Sequence, residues 1–183
     1  MVATSPDDTA LIAAWRGGDK QAGNTLVARH FESVCRFFRT KLGDDVGDLI
    51  QRTFLDCVQN LDRIEPGGFR AYLFGIARHR LLRHLRDKYR DAARFDAEVT
   101  SVANLGTTPS QRMSRDHRQL QLHEALRRLP LDHQIALELA YFDDLSAPEI
   151  AAVIGVPANT IRSRLARARE GLREHLAALE AAA

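Results

Sequence analysis

Apolar residues recur at three- and four-residue steps over residues 7–17, 21–41, 45–62, 68–90, 116–128, 131–142, 147–153 and about 158–178. That period belongs to helices that bury one face. In the fourth stretch Phe69, Leu73, Ile76, Ala77 and Leu81 form one stripe, with Arg70, Arg78, Arg80 and Arg83 off it. Nowhere do polar and β-branched residues alternate long enough to predict a strand. The expected fold class is all-α. Residues 91–115 break the pattern: they are rich in Ala, Ser and Thr and include Gly106 and Pro109. At about 25 residues this stretch exceeds the usual connection inside a compact domain. We therefore expect two small helical domains, 1–90 and 116–183, joined by a flexible linker at 91–115.

The sharpest local signal is LSAPEIAAVIGVPANTIRSRLARAREGLREHL. Ser146 and Glu149 have the spacing of a capping box, and Pro148 sits in the first turn, where its missing N–H costs nothing. Ile150, Ala151 and Ile154 make an inner face, and Gly155 suits the left-handed residue that ends a helix. A second helix begins near Pro157 and buries Ile161, Leu165, Ala168, Leu172 and Leu176. Its other faces carry Arg162, Ser163, Arg164, Arg167 and Arg169. Helix, tight turn and arginine-bearing helix predict a helix-turn-helix whose later helix enters a DNA major groove. There an arginine can make two hydrogen bonds to guanine while its neighbours bind phosphate.

Composition sharpens this reading only locally. The chain carries 26 Lys+Arg against 24 Asp+Glu, a near balance that by itself selects no partner. Between Arg78 and Arg90, however, six Arg/Lys and two histidines face the single acid Asp87. A helix anchored on one side and basic on the other can lie along phosphates. Just ahead stand Phe69, Tyr72 and Phe74, rings able either to pack in a core or to stack on unpaired bases. Tyr72, with a hydroxyl to satisfy, is the one expected at the surface.

Other chemistry is poorly supported. Cys35 and Cys57 stand 22 residues apart without a CxxC pair, and read as small core residues in a reducing compartment. His123-Glu124 lacks the second histidine of HExxH, and His79 and His84 are five apart, off one helical face. No cofactor, metal or enzymatic activity is expected. The start, MVATSPDDTALIAAW, has acids where a secretory signal carries basic residues, and no long apolar run follows. A cytoplasmic protein without a membrane partner is expected.

Three segments together resemble the small bacterial sigma factors of the extracytoplasmic function group: 48–64, 69–88 and 129–173. The last carries Leu-Pro, an E-I-A helix, Gly-x-Pro and the T-I-R-S-R-L-A-R-A-R helix. The resemblance implies binding to core RNA polymerase, through its clamp coiled coil and flap, and to promoter DNA. It implies that Thr160, Arg162, Ser163, Arg164 and Arg167 read the minus-thirty-five element. It likewise implies that Phe69, Arg70 and Tyr72 face the melted minus-ten strand, that Arg78, Arg80 and Arg83 grip its backbone, and that residues 91–115 thread the polymerase channel as an extended segment. A helix-turn-helix regulator that never joins polymerase is the alternative.

The chain departs from the family where polymerase is bound. The family's D-A-E-D-L-V-Q-E-T-F here reads Asp45-Val46-Gly47-Asp48-Leu49-Ile50-Gln51-Arg52-Thr53-Phe54. The contact expected from Asp45, Asp48, Gln51 and Arg52 thus lacks two carboxylates and gains a guanidinium. Charge complementarity governs encounter and register at such contacts. A phosphate on Thr53 would bring back about −1.5 to −2 charges. Control by a Ser/Thr kinase, beside or instead of an anti-sigma protein, is the expectation. Smaller departures are Tyr72, His79 and Asn159, where tryptophan, asparagine and glycine are usual.

Overall fold

A computed structural model of the chain describes residues 7–88, 96–105 and 117–181. Eight helices make up the described residues: α1 (Asp8–Arg16), α2 (Lys20–Leu42), α3 (Gly47–Gln59), α4 (Phe69–Lys88), α5 (His117–Arg128), α6 (Leu131–Tyr141), α7 (Ala147–Ile154) and α8 (Ala158–Ala181). A 3-10 turn, Leu61–Arg63, precedes the loop into α4. Helices fall where the apolar period placed them, and no strand occurs among the described residues.

Local chemistry fixes the ends. Asp19 starts α2 by accepting from the N–H groups of Gln21 (2.9 Å) and Ala22 (3.2 Å), two donors that no helical carbonyl can reach. The Trp15 indole of α1 lies so close to α2 that a Cβ on Gly23 would stand 2.4 Å from its Cε2. Only glycine permits that crossing. At the start of α7 the Glu149 carboxylate accepts from the Ser146 N–H at 2.8 Å and its hydroxyl at 2.6 Å. At the other end Gly155 adopts φ 82°, ψ 36°, the left-handed cap read from the sequence.

Helices α1–α4 enclose Leu26, Val34, Phe38, Leu73, Phe74 and Leu81, all essentially without solvent exposure. Helices α5–α8 enclose Leu129, Ile135, Ile161 and Ala168. The two sets are not separate bodies. One continuous apolar cluster runs from Val34 and Phe37 of α2 and Leu73 and Ala77 of α4 to Leu131 and Ile135 of α6 and Ile150 of α7. Helix α7 lies against α4.

This corrects the expectation for residues 91–115. Their ends, 91–95 and 106–115, lie outside the described residues, but 96–105 are folded rather than extended. Thr100 and Ala97 carbonyls accept from the Leu131 and Asp132 N–H groups, each at 2.9 Å, and the Ala103 N–H donates to the Arg127 carbonyl at 3.1 Å. Val102 is fully buried. The reason is the start of α6: its first N–H groups need acceptors, and the turns of 96–105 supply them. Arg90, the end of the basic run, also lies outside the described residues.

Candidate nucleic-acid interface

Helix α8 presents its arginines unequally. Arg162, Ser163 and Arg167 are exposed, and Thr160 is half-buried beside them. The Arg162 guanidinium is steadied by the Asn159 side-chain oxygen at 2.7 Å, and the Ser163 hydroxyl donates to the Thr160 carbonyl at 2.9 Å. Charged donors at the N-terminal end of a helix braced by α7 are placed to reach base edges. Arg164 is different. It is 4% exposed, bonded to Glu98 and 3.4 Å from Asp132. Its expected place on the reading face is corrected: a helix has one outward face, and Arg164 falls on the inward side with Ile161 and Ala168.

The α4 residues divide in the same way. Phe69 is 1% exposed, its ring centroid 5.2 Å from that of His30. It is a core residue, as the apolar stripe running through Leu73 requires, so its expected role facing a strand is corrected. Tyr72 is half-buried and lines a cleft of about 650 Å³ with Asp56, Asn60, Arg63, Glu65 and His79. Burial pushes its hydroxyl pKa up, so the phenol stays neutral and able to donate. Arg80 reaches Asp56 of α3, a lining residue of that cleft, with two bonds, 2.7 and 2.6 Å, and itself lines a neighbouring depression with Arg83, Leu49 and Arg52. Arg83 is exposed, 3.9 Å from Asp87. Arg70 is half-buried and faces a second, polar cavity between the domains, near Asp8, His30 and Asp143.

Arg78 is the main surprise on this helix. Its guanidinium grips Asp132 of α6 with three bonds between 2.9 and 3.0 Å. In this conformation it is closed to a phosphate backbone. Asp132, 3% exposed, and Glu98 carry no motif and were missed in the sequence. The available signal was that Asp132 falls beside Leu131 and Ile135 on the buried side of LDHQIALELAY, where burial of an acid demands a cationic partner.

Asp45, just before α3, and Gly47, Asp48, Gln51 and Arg52 on it are all exposed. Arg52 donates to Asp48 at 2.9 Å, so one of the two remaining carboxylates there is already partnered. Leu55 and Val58, 52% and 42% exposed, continue the same face one and two turns on. Sequence reasoning missed them because they fit an apolar stripe. Thr53 has no solvent exposure, and its hydroxyl donates to the Leu49 carbonyl at 2.7 Å. The expectation that a kinase reaches Thr53 is corrected for the folded helix, since the side chain is buried and its hydroxyl is held within α3.

Comparison with known proteins decides the family. A family model for sigma-70 region 2 matches residues 26–91, and one for sigma-70, region 4, matches residues 119–172. The ECF RNA polymerase sigma-E factors of Salmonella typhimurium (strain LT2) and Escherichia coli (strain K12) are each 30% identical over 175 residues, spanning 90% of this chain and 92% of theirs. This chain belongs to the ECF sigma factors. An ECF sigma factor is a transcription initiation factor rather than an enzyme. The Haemophilus influenzae sigma-E factor is 28% identical over 173 residues. Among solved structures, CnrH in complex with the cytosolic domain of CnrY aligns with TM-score 0.67 and 28% identity, over 93% of this chain and 97% of that one. The sigma factor RpoE bound to the anti-sigma factor NepR from Bartonella quintana aligns with TM-score 0.64 and 26% identity, over 84% and 95%. Among the described residues no helix is long and apolar enough to cross a membrane.

Proposed function

We propose that this ECF sigma factor divides promoter recognition between the exposed face of α8 and the cleft beside α4. Arg162, Ser163, Arg167 and Thr160 take the minus-thirty-five duplex. Tyr72, with Arg80 and Arg83 on the flank, takes the opened minus-ten strand; Arg70 and Arg78 join once the domains move apart. A cleft walled by an aromatic ring, with Arg63 in its lining and Arg80 and Arg83 beside it, offsets the stacking lost when a base leaves the duplex. The observation that carries this reading is that the exposed cations of α8 and the Tyr72 cleft fall within the two matched sigma regions.

Core polymerase binding is assigned to α3. With Asp48 partnered by Arg52, the face relies less on charge and more on Leu55 and Val58, apolar groups of the kind that form the buried centre of an interface. An anti-sigma protein is a second partner, by analogy with the RpoE–NepR complex.

Native gel analysis with purified core polymerase tests the reading. Co-migration of the unmodified chain is expected. A chain that binds duplex DNA but never co-migrates would instead be a regulator that acts without polymerase.

A further inference from the structure

Helix α1 carries neither DNA-reading face, yet its last residue grips the segment that walls the Tyr72 cleft. The Arg16 guanidinium donates twice to the Leu61 carbonyl, from Nε at 3.2 Å and from Nη2 at 2.7 Å, and from Nη2 again to the Ile64 carbonyl at 2.5 Å. Leu61 opens the 3-10 turn and Ile64 closes it. One planar cation therefore ties both ends of the turn to α1, and hydrogen bonds from a charged donor are the stronger kind. The platform beneath Arg16 is firm. Leu11 and Ile12 are buried, the Trp15 indole is seated over Gly23, and Asp8 pairs with Arg29 and His30 of α2, each at 2.7 Å.

The turn has little else to hold it. Its own backbone bonds are Arg63 N–H to the Asn60 carbonyl at 3.0 Å and Ile64 N–H to the Leu61 carbonyl at 3.3 Å, the poorer geometry of a 3-10 turn. Ile64 is 3% exposed, whereas Asp62, Arg63, Glu65, Pro66 and Gly67 all face solvent. Segments with so few buried contacts open at low cost. Yet Asn60, Arg63, Glu65 and Gly68 line the same cleft as Tyr72 and His79. An unstacked base is read by hydrogen bonds along its edge, and groups that read must be held to within about 0.5 Å.

We propose that Arg16 is a positioning residue for minus-ten specificity: by tying the Leu61 and Ile64 carbonyls to α1, it sets where Asn60, Arg63 and Glu65 stand around an unstacked base. It acts through the loop rather than on the strand. Arginine suits the task because its rigid fork reaches two acceptors in one fixed geometry. This inference rests on the sigma-factor reading of the Tyr72 cleft.

Transcription in vitro with core enzyme on sheared genomic DNA, with sequencing of RNA 5′ ends, compares the parent with Arg16→Met, Arg16→Lys and Val34→Ala. Arg16 stands at the surface, so Arg16→Met should keep the helix signal of the parent while losing every donor. Its start sites should retain the minus-thirty-five element and the spacing, while preference at one or more minus-ten positions falls about fivefold or more, the lower end of what one mismatched base costs. Arg16→Lys keeps the charge and can still donate to a carbonyl, so it should recover part of that preference. Val34→Ala removes fully buried methyl groups from α2 and leaves Arg16 in place; it should lower the melting temperature and keep the minus-ten element of the parent.

Amide hydrogen exchange reads the tie itself. Residues 62–68 should exchange faster in Arg16→Met than in the parent, with α8 unchanged. Unchanged exchange in this segment would overturn the positioning role. So would a parent-like minus-ten element in Arg16→Met, equal loss in Val34→Ala, or Arg16→Lys no better than Arg16→Met. A parent that gives no start sites beyond those of core enzyme alone would instead overturn the sigma-factor reading.

Discussion

Arg162, Arg164 and Arg167 lie within two turns of α8 and are expected to behave differently when shortened. Arg162→Ala and Arg167→Ala should leave the melting temperature near that of the parent and weaken promoter duplex binding, with a base-reading arginine costing about 1–3 kcal/mol. Arg164→Ala removes a buried side chain, its bond to Glu98 and a charge facing Asp132, which Arg78 continues to hold, and loss of such an arginine's packing destabilises in its own right. Its main signature should be a lower melting temperature, read by circular dichroism; equal melting temperatures for all three variants would contradict the burial of Arg164. Thr53→Glu is a second residue-scale case. Placing a carboxylate in a site with no solvent exposure should lower the melting temperature, because an unpaired buried charge is strongly disfavoured. An unchanged melting temperature together with tighter core binding would show that α3 opens readily and that Thr53 can act as a charge switch. The sequence made the arginine face legible, because period and charge coincide there. It could not separate Arg164 from its neighbours, since the difference depends on Asp132 and Glu98, residues distant along the chain that only the fold brings near.

Among the helices, α7 and α8 were the most legible, because cap, proline, left-handed glycine and apolar step all point to one geometry. Phe69 and Phe74 were ambiguous for a physical reason: an aromatic ring at a helical step suits a core and a base stack equally, and only burial separates them. Helix α6 was read as an ordinary core helix, although its two acids join the domains. Residues 96–105 were misread as part of an extended link because Val99, Val102 and Leu105 are too few apolar residues to predict an element. Their order comes from burial of Val102 and from backbone bonds to α5 and α6. At this scale the prediction concerns α3. Arg52→Glu frees Asp48 from its partner and adds a carboxylate, so it should tighten core polymerase binding, whereas Leu55→Ser should weaken it. Surface plasmon resonance with immobilised core enzyme reads both. Tighter binding by neither variant than by the parent, with Leu55→Ser unchanged, would place the contact elsewhere.

For the whole molecule, the histidines give a pH dependence with a definite sign. Burial holds the pKa of His30, His123 and His133 below the ordinary 6.5, the His30 shift being opposed by Asp8. The folded chain therefore binds fewer protons than the unfolded one as pH falls through that value. Stability is fully present above it and is lost below, so the melting temperature should fall between about pH 7 and pH 5. Burial raises the Asp143 pKa, which works in the opposite direction and at lower pH, as the carboxylate protonates. A flat profile across that range would contradict the burial of the histidines. The central claim is that one chain reads two promoter elements for polymerase. Transcription in vitro on sheared genomic DNA, with core enzyme and this protein alone, followed by sequencing of the RNA 5′ ends, tests it directly. The account predicts start sites that share two upstream elements at a constant spacing and vanish with Arg162→Ala/Arg167→Ala. Start sites identical to those of core enzyme alone would contradict it.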